Sequence, residues 1–199
     1  TDFSVLDIAG NATTTAGGSD RTVTYDSTPA TVTLEQAAAQ ADPAKSDSIA
    51  FTFSSNEDLQ SGSVTAADFE ATNGTIASVS GTGSSYTVTV TATADGGVLL
   101  APSGDFSVLD IAGNPQTSAG GTDRTVVYDS TPATASLMQA RGQADPAKNA
   151  SITFTFSANE DLRAASVTTA DFSATNGTVA SVTGSGDRKS TRLNSSHQI

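Results

Sequence analysis

The chain copies itself at a fixed distance. The decapeptide DFSVLDIAGN stands at residues 2–11 and again at 105–114, a period of 103 residues. YDSTPAT recurs at 25 and 128, QADPAK at 40 and 143, FTFS at 51 and 154, NEDL at 56 and 159, and ATNGT at 71 and 174. From 105 to 186, 60 of 82 aligned positions are identical. Solenoid units run to about 20–50 residues, whereas whole domains begin at about 50 and most often reach 100–150. A period of this size therefore means repeated small domains, each burying its own core. The 199 residues are read as a slice of a tandem array. Residues 1–26 are expected to be the last strands of a preceding unit, 27–129 one complete unit, and 130–186 a unit cut before its last three strands.

Within one period the apolar residues alternate in short runs separated by turn residues, which is the pattern of half-buried strands. Seven are expected. Strand A lies near 31–35 with Val32 and Leu34 inward, and strand B near 48–54 with Ile49, Phe51 and Phe53 inward. Strand C lies near 67–72 around Phe69, and D near 75–80. The TNGT between C and D reads as a tight hairpin turn, with positive φ at both central positions. Strand E covers 85–93, where Tyr86, Val88 and Val90 alternate with threonines. Strand F, VLLAPSGDFSVLD, is long or broken because Pro102 and Gly104 interrupt it. Strand G covers 124–128. LEQAAAQA is helix-like in composition, but Pro43 follows, so an irregular connection is expected. Seven strands in about a hundred residues describe an all-β fold of tandem immunoglobulin-like sandwiches.

Residues 187–199 break the repeat. Where the earlier copy reads SSYTVTV, this one reads DRKSTRL, and no apolar alternation survives. Residues 187–197 resemble one reading frame of a common sequencing adapter, so 187–199 are expected to be foreign to the protein and disordered. That segment holds His197, the only histidine. Without it the formal charge moves from −12 to −14.

Such acidity excludes a nucleic-acid partner, because phosphates are bound by clustered Lys and Arg. It likewise disfavours an anionic membrane surface, and no apolar run reaches the ~18 residues of a membrane helix. The chain has no cysteine, so disulfides and thiolate metal sites are impossible. With no histidine outside the foreign segment, Ser–His–Asp, Cys–His and zinc chemistry have no residues to work with. Glu57 and Asp58 are adjacent acids on a loop, where nothing sets their pKa values apart for acid–base work. No enzymatic activity is expected.

QADPAK, FTFS before NEDL, ADF followed by TNGT, GTGSSYTVTV, TADG, and DIAGN before VTYDSTPATVTL resemble the bacterial immunoglobulin-like repeats of large secreted and surface-attached proteins. The resemblance spans residues 1–186. It implies an extracellular stalk or spacer of the adhesin type, often calcium-stiffened. The neighbouring repeats would be its partners, and a cell-surface or polysaccharide receptor would be met by domains elsewhere. A spacer or glycan-binding module of an extracellular carbohydrate-active enzyme is the alternative. It is disfavoured because Tyr25, Tyr86, Tyr128 and the phenylalanines fall on inward strand phases and the chain has no tryptophan.

Alternating strands would gather the linker before strand A, the B–C loop and the F–G region at one pole. That pole carries Asp26, Glu57, Asp58, Asp110 and Asn114. Calcium takes about 6–8 oxygen ligands, so a calcium site is expected there from Asp26, Glu57 or Asp58, and Asp110, with Asn114 as a further ligand. Asp129, Glu160 and Asp161 would serve the next junction. The same residues also suit plain turn capping.

Overall fold

The computed structural model describes residues 3–186 and 188–194. The strands are β1 (Val5–Leu6), β2 (Ala12–Thr13), β3 (Val32–Gln36), β4 (Ser48–Ser55), β5 (Phe69–Thr72), β6 (Gly74–Thr82), β7 (Ser85–Ala92), β8 (Gly96–Pro102), β9 (Val108–Leu109), β10 (Pro115–Gln116) and β11 (Thr125–Tyr128). They continue with β12 (Ala135–Gln139), β13 (Ser151–Ala158), β14 (Thr178–Ser185) and β15 (Arg188–Asn194). The chain divides into two compact units, Thr1–Ser130 and Thr131–Ile199. Among the described residues no helix is long and apolar enough to cross a membrane.

The first unit is an all-β sandwich. One sheet has the order β3-β4-β7-β6 and the other β11-β8-β5, all antiparallel. Alternation in the sequence decides the inner faces. Val32, Leu34, Ile49, Phe51, Phe53, Tyr86, Val88 and Val90 are buried from the first sheet. Phe69, Val98, Leu100 and Val126 are buried from the second, with Phe106 and Val108 closing one end. Phe53 lies at the centre of an aromatic group, with ring centroids 5.3 Å from Phe69, 6.2 Å from Tyr86 and 6.1 Å from Phe106. Edge contacts of this kind add to the area that the rings already bury.

Two local expectations are corrected. TNGT is not a hairpin turn: β5 pairs with β8 and β6 with β7, so the segment crosses from one sheet to the other. Only Asn73 has positive φ, at 57°. Gly74 is needed for close approach, because a Cβ there would stand 2.5 Å from Val90 Cγ1. The hairpin is one strand later, where Thr82 pairs with Ser85 around Gly83 at φ 64°. Strand F is broken into β8 and β9, as Pro102 and Gly104 suggested. Strand β6 also carries a bulge between Ile76 and Ser78, which lets Ile76 and Val79 both reach the core at an odd spacing. LEQAAAQA forms no helix. Gln40 fastens the connection instead, its side chain accepting from Ala50 N–H at 2.9 Å.

Tyr25 and Phe3 are the second correction. Both are exposed, Tyr25 at 87% and Phe3 at 50%. Residues 3–26 form the small β1–β2 hairpin in the register of β9–β10, yet cover no core.

The second unit has one four-stranded sheet, β12-β13-β15-β14, in the same order as the first sheet of unit one. Its β15 overturns the expected disorder of that segment: Arg188–Asn194 pairs with β13 and β14 in the register that β7 uses. The backbone ladder needs no particular side chain, and the slot between β13 and β14 sets the register. Asp187 and 195–199 lie outside the described residues. Phe154, Phe156 and Phe172 are half-buried here, whereas Phe51, Phe53 and Phe69 are buried in the first unit. The counterpart of β5, residues 172–175, forms no strand, although FSAT differs from FEAT at one position. In the first unit β5 is held by β8, and no copy of β8 stands among the described residues of the second.

Candidate metal centre

Three acids from distant parts of the sequence meet at one end of the first unit. Asp26 precedes β3, Glu57 follows β4, and Asp110 follows β9. One carboxylate oxygen from each lies within 4.8 Å of the others. Two oxygens on one calcium ion stand at most about 5 Å apart, twice the usual bond of 2.3–2.6 Å. The three can therefore share one ion.

Backbone pairing fixes this meeting. Leu59 and Asp110 form an antiparallel bridge, and Gln60 N–H donates to the Leu109 carbonyl at 2.8 Å. Asn56 ties the same loop to the start of the sheet, its Oδ1 accepting from Thr31 N–H at 2.7 Å. Asp26 is turned by its own linker, since Thr28 N–H donates to its Oδ1 at 3.0 Å.

Asp110 is buried with 0% of its surface exposed. Its charge survives because Asn114 clasps it: the Asn114 N–H donates to Oδ1 and the Asn114 side-chain amide to Oδ2, both at 2.8 Å. Burial pushes this carboxyl up, but bonds from the Asn114 side chain and from the N–H groups of Asn114, Gly113 and Ala112 together hold it below the ordinary aspartate value. The Asn114 amide also reaches the Asp26 carbonyl at 3.3 Å. Asn114, expected as a ligand, is thus a positioning residue that joins the two aspartates.

Glu57 behaves in the opposite way. Burial, followed by the charges of Asp26 and Asp110, raises its pKa above the ordinary glutamate value. A raised carboxyl pKa means that the folded state holds the proton more tightly, so stability falls as pH rises through the window above the unfolded value. Asp110 has the reverse sign: its contribution is present above the unfolded aspartate value and is lost as pH falls through the lower folded value. In metal-free buffer at pH 7, Glu57→Gln is therefore expected to raise the melting temperature of the first unit. It should also flatten the pH dependence above the ordinary glutamate range. A lower melting temperature, read by tyrosine fluorescence, would contradict the repulsion.

Asp58 is not in the group. Its carboxylate lies over the β6–β7 turn, 2.8 Å from where a Cβ on Gly83 would stand. Asp161 takes the same place at Gly186, at 2.7 Å. Neighbouring loop residues diverge, which is why the sequence left Glu57 and Asp58 as alternatives. Asp129 lies just after β11 in the first unit, while Glu160 and Asp161 follow β13 in the second.

The donor set is all oxygen and rich in carboxylate, which suits a hard divalent cation and not zinc. The clasp alone does not require an ion. Asp7 and Asn11 form it at 2.8 and 2.9 Å in the exposed β1–β2 hairpin, where the Asn11 side chain and N–H likewise lower the Asp7 pKa. What the first unit adds is Glu57 and Asp26 within reach of the clasped acid. No family model matches the sequence, and no curated protein is significantly similar to it.

Proposed function

We propose that this chain is part of a stalk. It belongs, on this reading, to a run of immunoglobulin-like sandwiches in a large bacterial secreted or cell-surface protein of the adhesin type. It works by length and stiffness and carries no catalytic site. The observation that carries the reading is a closed unit with its own core, flanked in sequence by near-copies of its own parts. The sheet orders support the immunoglobulin-like assignment: β3-β4-β7-β6 opposite β11-β8-β5 corresponds to strands A-B-E-D opposite G-F-C.

Stiffness is where the acids enter. Asp26 belongs to the linker before β3, so a calcium ion on Asp26, Glu57 and Asp110 would fasten that linker to the body of the unit. By the 103-residue period, Asp129 and Glu160 take the parts of Asp26 and Glu57 one unit on. Neighbouring repeats are the immediate partners, and receptor binding falls to other domains of the parent protein. Residues 187–199 stay outside the functional reading, because their side-chain pattern departs from the repeat.

Small-angle scattering on proteins carrying two, three and four whole repeats tests the stalk. The maximum dimension is expected to grow by a constant step per repeat. That step should be at least the ~26 Å of an eight-residue strand at about 3.3 Å per residue. Compact growth, with the radius rising as roughly the 0.38 power of length, would end the proposal.

A further inference from the structure

Three segments of the first unit leave a hollow between them. Leu59 N–H donates to the Gly83 carbonyl at 3.0 Å, which ties the loop after β4 to the β6–β7 turn. The Leu59–Asp110 bridge ties the same loop to the end of β9. Beside these ties lies an open cavity of about 430 Å³. Its lining residues all fall between 58 and 111, so a single repeat builds it whole.

Much of the lining is apolar. Leu59 and Val64 are buried, Val79 is half-buried, and Ile111 stands 69% exposed. Two polar side chains on the lining are free. Asp58 is exposed, and among the described residues it has no hydrogen bond and no ion pair through its carboxylate. The Tyr86 hydroxyl likewise has no hydrogen-bond partner among the described residues. It is not sealed off, because among those residues Ser103 Oγ alone is both buried and unpartnered. Tyr86 keeps only 7% of its surface, and that remainder faces the cavity which the residue lines. No lysine or arginine stands on the lining.

We infer that this cavity binds a primary alkylammonium group. An ionised carboxylate beside apolar walls selects a cation that carries its own apolar stem. Calcium does not suit the place, since one carboxylate falls far short of the about 6–8 oxygens that the ion takes. The formal charge of −12 draws cations toward the molecule. A primary ammonium brings N–H donors and no acceptor. Asp58 and the Tyr86 hydroxyl accept from it, and water takes what remains. The methylenes behind the ammonium cover Val64, Val79 and Ile111. The volume lies within the usual range for small-molecule sites, about 300–1,000 Å³. Free diamines and lysine side chains of other proteins share this chemistry. Asp58 is outside the group of Asp26, Glu57 and Asp110, so the site stands whether or not that group holds calcium.

Amide NMR spectra of the full chain test this, titrated at constant ionic strength with methylamine, butylamine, putrescine and a blocked lysine tripeptide. Shifts are expected at residues 58–64 and 79–86, with a Kd of roughly a millimolar. Butylamine should bind tighter than methylamine by about fourfold for each methylene that it buries. Asp58→Asn should weaken binding by about tenfold or more, and Tyr86→Phe by about threefold. Asp58 is exposed and Tyr86→Phe keeps the ring against Phe53, so both variants stay folded, which unshifted amide signals on β4 verify. Tighter binding of the tripeptide than of the free amines supports a lysine side chain as the occupant, and the reverse order supports a diamine. Equal affinity for methylamine and butylamine overturns the proposal, being the mark of plain charge attraction. So does binding that survives Asp58→Asn, or that calcium displaces at equal ionic strength, which would move the cation to the three clustered acids.

Discussion

Phe53→Ala is expected to cost the first unit about 3–5 kcal/mol, the usual range for a buried phenylalanine truncated in a packed core. Phe53 is fully buried and touches three other aromatic rings, so the hole that it leaves has rigid walls on both sheets. A domain of this size is stable by about 5–15 kcal/mol, and one such substitution removes a large part of that. The second unit provides its own comparison. Phe156 stands at the equivalent position but is half-buried, so Phe156→Ala should cost about half as much, in proportion to the apolar area withdrawn from water. Urea titrations with hydrogen exchange read on β4 and β13 separate the two units. Equal costs would mean that sandwich closure contributes nothing to the stability of the Phe53 site.

Calcium is expected to raise the melting temperature of the first unit by about 10 °C. The figure follows from linkage: an ion at a hundred times its Kd stabilises the folded state by about 2.7 kcal/mol, and each kcal/mol moves a domain of this length by about 4 °C. Extracellular calcium modules have Kd values near 10⁻⁴–10⁻³ M, so roughly 10 mM calcium or more is the concentration to use. Asp110→Ala should abolish the rise, because it removes the clasped carboxylate around which Asp26 and Glu57 converge. Glu57→Gln should reduce it while stabilising the metal-free protein, which is a reversal of sign between the two conditions. Differential scanning calorimetry with calcium and with EGTA measures both. A melting temperature indifferent to calcium would show that the three acids serve turn geometry alone.

Short-range features were legible in the sequence, and the two units say why. The Asp–Asn clasp forms at Asp7–Asn11 and again at Asp110–Asn114, although one hairpin lies bare and the other is packed. Asp68 accepts from Thr65 and Asp171 from Thr168 in matching bonds, at 2.7 Å from each backbone N–H. Asn73 and Asn176 both take positive φ, 57° and 61°. These depend on a few neighbouring residues, and copies of those residues give copies of the structure. Strand β5 is different, since its near-identical counterpart at 172–175 stays unpaired where no β8 is supplied. The misreading of TNGT has the same origin: a dipeptide suited to a hairpin was overruled by which strands lay available to pair. For the candidate site, alternation sufficed to bring Asp26, Glu57 and Asp110 to one pole. It could not separate Glu57 from Asp58, because the direction of each is set by the Leu59–Asp110 bridge.

The half-buried phenylalanines of the second unit have a consequence for how the proposed array would be made. The ribosome completes the first sheet of a repeat at Ala92 but does not deliver the end of the second until Tyr128. At roughly 5–20 residues per second that interval lasts about 2–7 seconds. Throughout it, the nascent repeat carries phenylalanines covered only in part, as Phe156 and Phe172 are in the second unit. In the proposed stalk, near-identical neighbours emerging in succession would then compete for the same face. In the stalk proposed above, fidelity of synthesis would therefore rest on each closing segment reaching its own sheet before the next copy arrives.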